Sequence, residues 1–243
     1  VDEAQSGIAV YLRSRREAAG LTRAELAKRA GVSEGLIQKV EQGTRQPTPT
    51  ALGALVQVLD VPVQYIGYIA NLMIPELTEL TTDGGYPEPN ELDFLQHMPY
   101  PACYQTMPAM DLIAANDAYR RAFPGLEPGV NIIAWMLLDP IARYVMRDWE
   151  AEAHMMVYMF RYGSPGVVAP ERIAEITRQC SQSPDWQRFW ETDIPPGAIV
   201  RGPSGFLSLE TGEWVDMRMQ VFRSEMPHRS WYMYALTPVR AAN

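Results

Sequence analysis

Thr22-Arg-Ala-Glu25-Leu-Ala27-Lys-Arg-Ala-Gly31-Val-Ser33-Glu-Gly-Leu-Ile37-Gln-Lys-Val-Glu-Gln-Gly43 is the stretch from which the N-terminal fold is read. Thr22 followed three residues later by Glu25 is a capping-box signature, so a helix opens there and stops at Gly31. Ser33 caps a second helix that ends at Gly43. The glycine at 31 permits a tight turn, Ala27 permits close approach, and Leu26, Ala30, Val32, Ile37 and Val40 fill the angle between the two helices. This is the pattern of a helix-turn-helix. Outward from it, residues 8–19 carry Ile8, Leu12 and Ala19 on one stripe and end at Gly20, while residues 50–59 and 63–73 supply two more helices, closing a five-helix domain.

The remaining composition bounds the rest. A chain of 243 residues with 47% hydrophobic and 21% charged residues folds, and at this length two small domains are expected. The longest apolar run, residues 66–74, is far short of the ~20 residues of a spanning helix, so no membrane partner is expected. Two cysteines, Cys103 and Cys180, build neither a disulfide framework nor a zinc ribbon, and with no export pattern at residues 1–10 a cytoplasmic protein is expected. The net charge of -8 is divided unevenly: residues 1–71 hold eight Lys/Arg against seven Asp/Glu, so the whole negative excess lies beyond them. Six prolines between Pro75 and Pro108, with Gly84 and Gly85 among them, argue against a helix there and for a linker.

Beyond the linker, residues 102–106, 111–116, 206–210, 214–222 and 230–237 are strand candidates. The fourth alternates Trp214, Asp216, Arg218 and Gln220 against Val215, Met217, Met219 and Val221. Thr211-Gly212 supplies the turn before it and residues 227–229 the turn after. Helices are expected at 116–123, 132–137, 140–162, 170–182 and 184–191, with Pro140, Pro170 and Pro184 in first turns. Strands, a helical block and returning strands suggest an α+β sensor domain like the PAS fold. The expected architecture is therefore multi-domain: residues 1–74 a five-helix, lambda-repressor-like bundle, 75–90 a linker, and 91–243 a PAS-like domain with an antiparallel sheet and several helices.

The 22–43 stretch, with Pro47, Leu52, Leu55, Val58, Leu59, Pro62 and Tyr65, resembles the DNA-binding domain of the Cro/phage-repressor (XRE) class over residues 8–70. The resemblance implies that Ser33 opens the recognition helix, that Glu34, Gly35, Gln38 and Lys39 face base edges, and that Arg23, Thr44 and Arg45 approach phosphates of double-stranded DNA. In this register Arg16 and Glu41 face each other across the domain core and are expected to pair. A homodimer on a two-fold site is expected, because one recognition helix reads too few base pairs.

In the second half, Ile113-Ala-Ala-Asn-Asp-Ala118, Asn131, Leu138-Asp-Pro140, Arg147-Asp-Trp149, Ser183-Pro-Asp-Trp-Gln-Arg-Phe-Trp190, Gly212 and residues 234–238 resemble the C-terminal domain of MmyB-like transcription regulators. That resemblance implies a domain that binds a long-chain fatty acid or similar lipid, with no other cofactor required. Eight of the thirteen methionines lie between Met98 and Met159, and methionine suits a pocket for an unbranched chain. On residues 140–160, Ile141, Val145, Trp149, Ala153, Met156 and Phe160 form one apolar stripe, while Tyr144, Ala151, Met155, Tyr158 and Met159 form another that needs a second partner. A lipid tail is one such partner, a plain core the other. The tail is expected among Trp135, Met155, Tyr158, Met159 and the inner face of the fourth strand, including Met217 and Met219; Tyr144 lies beside it, and Arg143 or Arg147 meets the carboxylate. The linker and residues 63–73 are where ligand binding would reach the DNA-binding half.

Enzyme readings are weak. Asp148, Glu150 and Glu152 are two apart on a helix and face different directions, and the three histidines lack spaced ligand partners. The reading is a DNA-binding transcription regulator that senses a small apolar ligand; the alternative is a DNA-bound scaffold whose second domain recruits a protein and binds no small molecule.

Overall fold

The computed structural model describes residues 3–61, 85–165, 167–194, 202–225 and 228–239. The N-terminal half contains α1 (Glu3–Ala18), α2 (Arg23–Ala30), α3 (Glu34–Glu41) and α4 (Pro49–Val58). The expected caps form them: the Thr22 hydroxyl accepts from the Glu25 N–H while the Glu25 carboxylate accepts from the Thr22 N–H, and Ser33 accepts from Leu36. Gly31 turns the chain at φ 66°, a left-handed conformation that a side chain would strain. Ile8, Leu12, Leu26, Ile37, Val40, Leu52 and Leu55 are buried together between the helices. The helix expected at residues 63–73 lies outside the described residues, as does most of the 75–90 linker.

Arg16 and Glu41 pair across this core. The guanidinium donates from Nε at 2.5 Å and from Nη2 at 3.1 Å, and the two side chains are 9% and 2% exposed. Arg23 adds a third bond to the same carboxylate at 2.7 Å. The pair therefore joins α1, α2 and α3 at one point.

The second half forms a five-stranded antiparallel sheet, order β2-β1-β5-β4-β3, from β1 (Ala102–Thr106), β2 (Leu112–Ala115), β3 (Ser204–Leu207), β4 (Trp214–Glu225) and β5 (His228–Pro238). Between β2 and β3 lie α6 (Asp117–Ala122), α7 (Ile132–Leu138), α8 (Pro140–Val145), α9 (Trp149–Gly163), α10 (Pro170–Cys180) and α11 (Trp186–Glu191). This is the expected α+β arrangement. The helices pack on one side of the sheet against Cys103, Ala115 and Leu236. The other side, with Tyr104, Ala114, Met233 and Ala235, is covered by α5 (Pro89–Gln96) through Leu95. Both edge strands are bonded by irregular backbone: Val130, Gly129 and Ile132 bond Leu112 and Met110 beside β2, and Arg147 N–H donates to the Gly205 carbonyl of β3 at 2.9 Å.

Three features differ from the sequence expectations. The proline-rich linker was expected to hold no helix, yet α5 begins within it: Pro89 occupies the first turn, where its missing N–H costs nothing, and Glu91 accepts from the Glu88 N–H at 2.8 Å. The fully buried Arg229 of β5 then pairs with Glu88 and Glu91, tying that turn to the sheet. The helix expected over residues 140–162 is two helices, α8 and α9, because Met146 turns extended (φ -114°, ψ 120°) and bridges Phe206 of β3. No glycine or proline marks that break; the strand partner does. Finally, His228 and Arg229, expected in a turn, belong to β5.

Glu41 carries a testable consequence. Burial pushes its carboxyl up, but the hydrogen bonds from Arg16 and Arg23 outweigh burial and hold it below the usual carboxylate value. A carboxylate lowered on folding stabilises above its unfolded value, and that contribution disappears as pH falls through the folded one. Glu41→Gln should lower stability by about 3 kcal/mol at pH 7 in urea unfolding, since two guanidinium groups lose their counter-charge. The difference from wild type should shrink as pH drops below about 4. An undiminished gap at low pH would show that packing rather than charge sets the cost.

Candidate functional site

The first candidate surface is the exposed side of α3. Ile37, Val40 and Glu41 point into the core, which leaves Glu34, Gly35, Gln38 and Lys39 exposed at one- and four-residue spacing on the opposite side. Ser33 is spent on its capping bond to Leu36, the hydroxyl of Thr44 donates to the Lys39 carbonyl at 3.1 Å, and Arg45 is exposed just beyond. Arg23 keeps 37% of its side chain exposed beside its bond to Glu41. Leu36, half-buried, packs on the domain core. Every residue expected to face DNA thus lies on or next to one exposed helix face.

The second surface is a cleft of about 430 Å³ lined by Arg143, Met146, Arg147, Asp148, Trp149, Glu150 and Ala151, where the break between α8 and α9 meets β3. Both arginines are engaged. Arg143 stacks on the Trp149 ring at 3.6 Å and pairs with Asp185 at 2.5 Å, whereas Arg147 pairs with Asp216 at 2.7 Å and lies over Trp214 at 5.3 Å. Gly205 makes room for it: a Cβ there would stand 2.6 Å from the guanidinium carbon. A third feature is a strip on the helix-facing side of β4. Met219 is opposite Leu236 and Val221 opposite Tyr234, and directly opposed strand residues point to the same side. Leu236 is buried under the helices, yet Met219 and Val221 remain 48% and 49% exposed.

The residues expected around a lipid tail do not converge. Met217 packs at the edge of the main core and Met219 continues the strip. Trp135 is buried, its indole donating to the Pro124 carbonyl, and Tyr144 is 61% exposed. Met155, Tyr158 and Met159 lie against the DNA-binding domain, so the second partner of α9 is α1 rather than a lipid.

That contact was not anticipated. Tyr11, Ser14 and Arg15 of α1 meet Tyr158 and Tyr162 of α9 and the Asp193–Ile194 segment after α11. The buried Arg15 donates to the carbonyls of Ile194 (2.7 Å), Leu59 and Asp60 (both 3.2 Å) and lies 3.4 Å from the Tyr158 hydroxyl. Ser14 donates to Asp193 at 2.6 Å, Tyr162 approaches the other carboxylate oxygen at 2.7 Å, and Arg161 bonds the same aspartate. Burial pushes the Tyr162 hydroxyl up to about 12 and raises Tyr158, so both stay protonated. The signal in the sequence was a second face on α1, with Tyr11 and Arg15 four apart, beside Tyr158 and Tyr162 four apart.

Two family models match these surfaces: a helix-turn-helix domain over residues 8–64, and the MmyB-like transcription regulator ligand binding domain over residues 88–242. The chain belongs to the MmyB-like transcription regulators. The first matched model is that of a helix-turn-helix domain and the second that of the ligand-binding domain of this family of transcription regulators. Two curated relatives, uncharacterised HTH-type transcriptional regulators from two strains of Mycobacterium tuberculosis, are each 32% identical over 73 residues, 30% of this chain and 52% of theirs. The regulator thus spans about half the length of these relatives. The clp gene regulator ClgR from Corynebacterium glutamicum, a solved structure, is 23% identical with a TM-score of 0.26, covering 31% of this chain and 83% of that one. Among the described residues no helix is long and apolar enough to cross a membrane, and no group of His, Cys, Asp or Glu is arranged to hold a metal ion.

Gly205→Ala tests the packing of the cleft wall. The added methyl forces Arg147 off Asp216 and Trp214, and because that ion pair is about half exposed, stability should fall by no more than about 1 kcal/mol. Arg147→Ala should cost a similar amount. Thermal unfolding of the double variant should show no further loss, whereas additive losses would mean that Gly205 serves the strand rather than the arginine.

Proposed function

We propose that this regulator binds a two-fold DNA site as a homodimer and senses a long-chain fatty acid, whose tail lies along Met217, Met219 and Val221 on the inner face of β4. The observation that carries this is the strip itself: half-exposed apolar side chains on the side of the sheet that otherwise forms the core. Each methylene buried there contributes ~0.8 kcal/mol, so an acyl chain of about twelve to sixteen carbons overcomes its immobilisation without a strong head-group bond. The carboxylate then serves selectivity, competing with Asp185 for Arg143, whereas Arg147 is held by Asp216 and Trp214 on the other face of β4.

Titration with tetradecanoate, followed by tryptophan emission, tests this reading. Met219→Glu should abolish binding, while Arg143→Ala should bind the acid and the corresponding alcohol alike. Unaltered binding by Met219→Glu would place the tail elsewhere. One observation favours the scaffold alternative: Phe222 and Trp214, on the other face of β4, are also about half exposed, as a protein-recruiting patch would be. Lipid extraction and mass spectrometry of the purified protein separates the two, since a recruiting surface retains no acyl chain.

On the DNA side, Lys39→Ala should weaken specific binding more than binding to random duplex. Arg45→Ala should weaken both equally and reduce the slope of log affinity against log salt by about one unit. Competition binding assays at several salt concentrations distinguish these outcomes; an equal loss for Lys39→Ala would remove it from the base-reading set.

A further inference from the structure

Arg15 is buried with hydrogen bonds that go to uncharged oxygens drawn from both domains. Two of them, the Leu59 and Asp60 carbonyls, follow the last turn of α4, where Asp60 turns left-handed at φ 47° and the chain closes with a Val61 N–H bond to Val56. The remaining two, the Ile194 carbonyl and the Tyr158 hydroxyl, belong to the ligand-binding domain. A guanidinium taken out of water needs its donors satisfied, so separating the domains would expose it or strand it. Ser14, one residue away on α1, donates to Asp193 and stands 2.6 Å from the Tyr162 hydroxyl of α9.

Both partners of this junction lead to the cleft. The first turn of α9 lines it with Trp149, Glu150 and Ala151, and the last turns of the same helix carry Tyr158 and Tyr162. Asp185, just before α11, holds the cleft residue Arg143, and the residues after α11 are Asp193 and Ile194. Two rigid helices therefore each have one end at the cleft and the other at α1. The exposed face of α3 stays open with the junction made, so the junction acts through how the domains are held and not by covering the recognition helix.

We propose that the Ser14–Arg15 junction is the coupling element of the regulator, through which the state of the ligand-binding domain reaches the DNA-binding domain and DNA binding reaches back. The proposal rests on the two-domain regulator reading but not on the identity of the ligand. Coupling free energy is reciprocal, so it can be read from the DNA side alone.

The chain offers a built-in reporter. Its six tryptophans, Trp135, Trp149, Trp186, Trp190, Trp214 and Trp231, all lie in the second domain, so tryptophan-detected thermal unfolding reports that domain. The full chain is melted with and without a saturating mixed-sequence duplex of about 30 base pairs at low salt, occupancy being confirmed by anisotropy of the labelled duplex. DNA should raise the tryptophan-detected midpoint by several degrees in wild type, because a ligand of one domain stabilises whatever unfolds with it. In the Ser14→Ala, Asp193→Asn double variant the duplex should bind within about two-fold of wild type while most of that shift is lost. Should the double variant fail to fold, Tyr162→Phe carries the same comparison with one hydroxyl removed. A wild-type midpoint unmoved by bound DNA, or a full shift in the folded variant, overturns the proposal. No lipid enters the assay, so a failed tetradecanoate titration and a failed junction are separate results.

Discussion

A guanidinium taken out of water is costly unless polar groups replace that water, and Arg15 draws them from the end of α4 and from the backbone beyond α11 at once. This constraint acts beside the apolar burial that both domains share at the junction. The aromatic contacts around it, Tyr11 edge-on to Tyr162 at 5.5 Å and Tyr158 to Tyr162 at 4.9 Å, supply area, but area alone tolerates sliding. The directed hydrogen bonds of Arg15 and Ser14 do not. A neighbouring residue on the same helix, Arg16, solves the problem in the other way, with a carboxylate of its own inside the domain. One turn of α1 thus carries an arginine that holds its own domain together and an arginine that holds the other.

The ligand-binding domain shows a comparable division between what is closed and what is left accessible. Its helices bury Cys103, Ala115 and Leu236 on the inner face, and α5 buries Tyr104 and Met233 on the outer one. Deep burial pushes the Cys103 thiol up to about 12, and Cys180 likewise, so both are inert packing groups and not reactive thiols. Among the described residues of β4, Trp214, Met219, Val221 and Phe222 remain about half exposed. Arg143 and Arg147 line the cleft, each held by an aspartate and an indole, which keeps them oriented.

Much of this was legible in the sequence wherever the deciding physics is local. Capping at Thr22 and Ser33, the turn at Gly31 and the alternation from Trp214 onward each depend on residues within a few positions of one another, and each element formed where expected. The resemblance to XRE-class regulators also placed Arg16 opposite Glu41, a contact no local pattern contains. What was not legible is what a buried face is buried against. The periodicity of residues 149–163 shows two faces withdrawn from water, but apolar spacing is the same whether the partner is a lipid, a sheet or α1. The break at Met146 was hidden for the same reason: a backbone bond to Gly205, nearly sixty residues away, ends the helix where no local signal does. In the cleft, the arginines were visible but their aspartates were not, since Asp185 and Asp216 are distant in sequence.

The irregular segments bonded along β2 and β3 bear on how this protein behaves when crowded with copies of itself. A sheet edge with free N–H and C=O groups templates the addition of a further strand, and chains that leave such an edge bare tend to stack into ordered aggregates. Here residues 129–132 occupy the outer side of β2, and the strand-like kink at Met146 and Arg147 occupies that of β3. Neither border strand presents an uninterrupted ladder to a neighbour. The same kink that ends α8 and shapes the cleft therefore also interrupts the outer border of β3, where a strand from a second copy would have to pair.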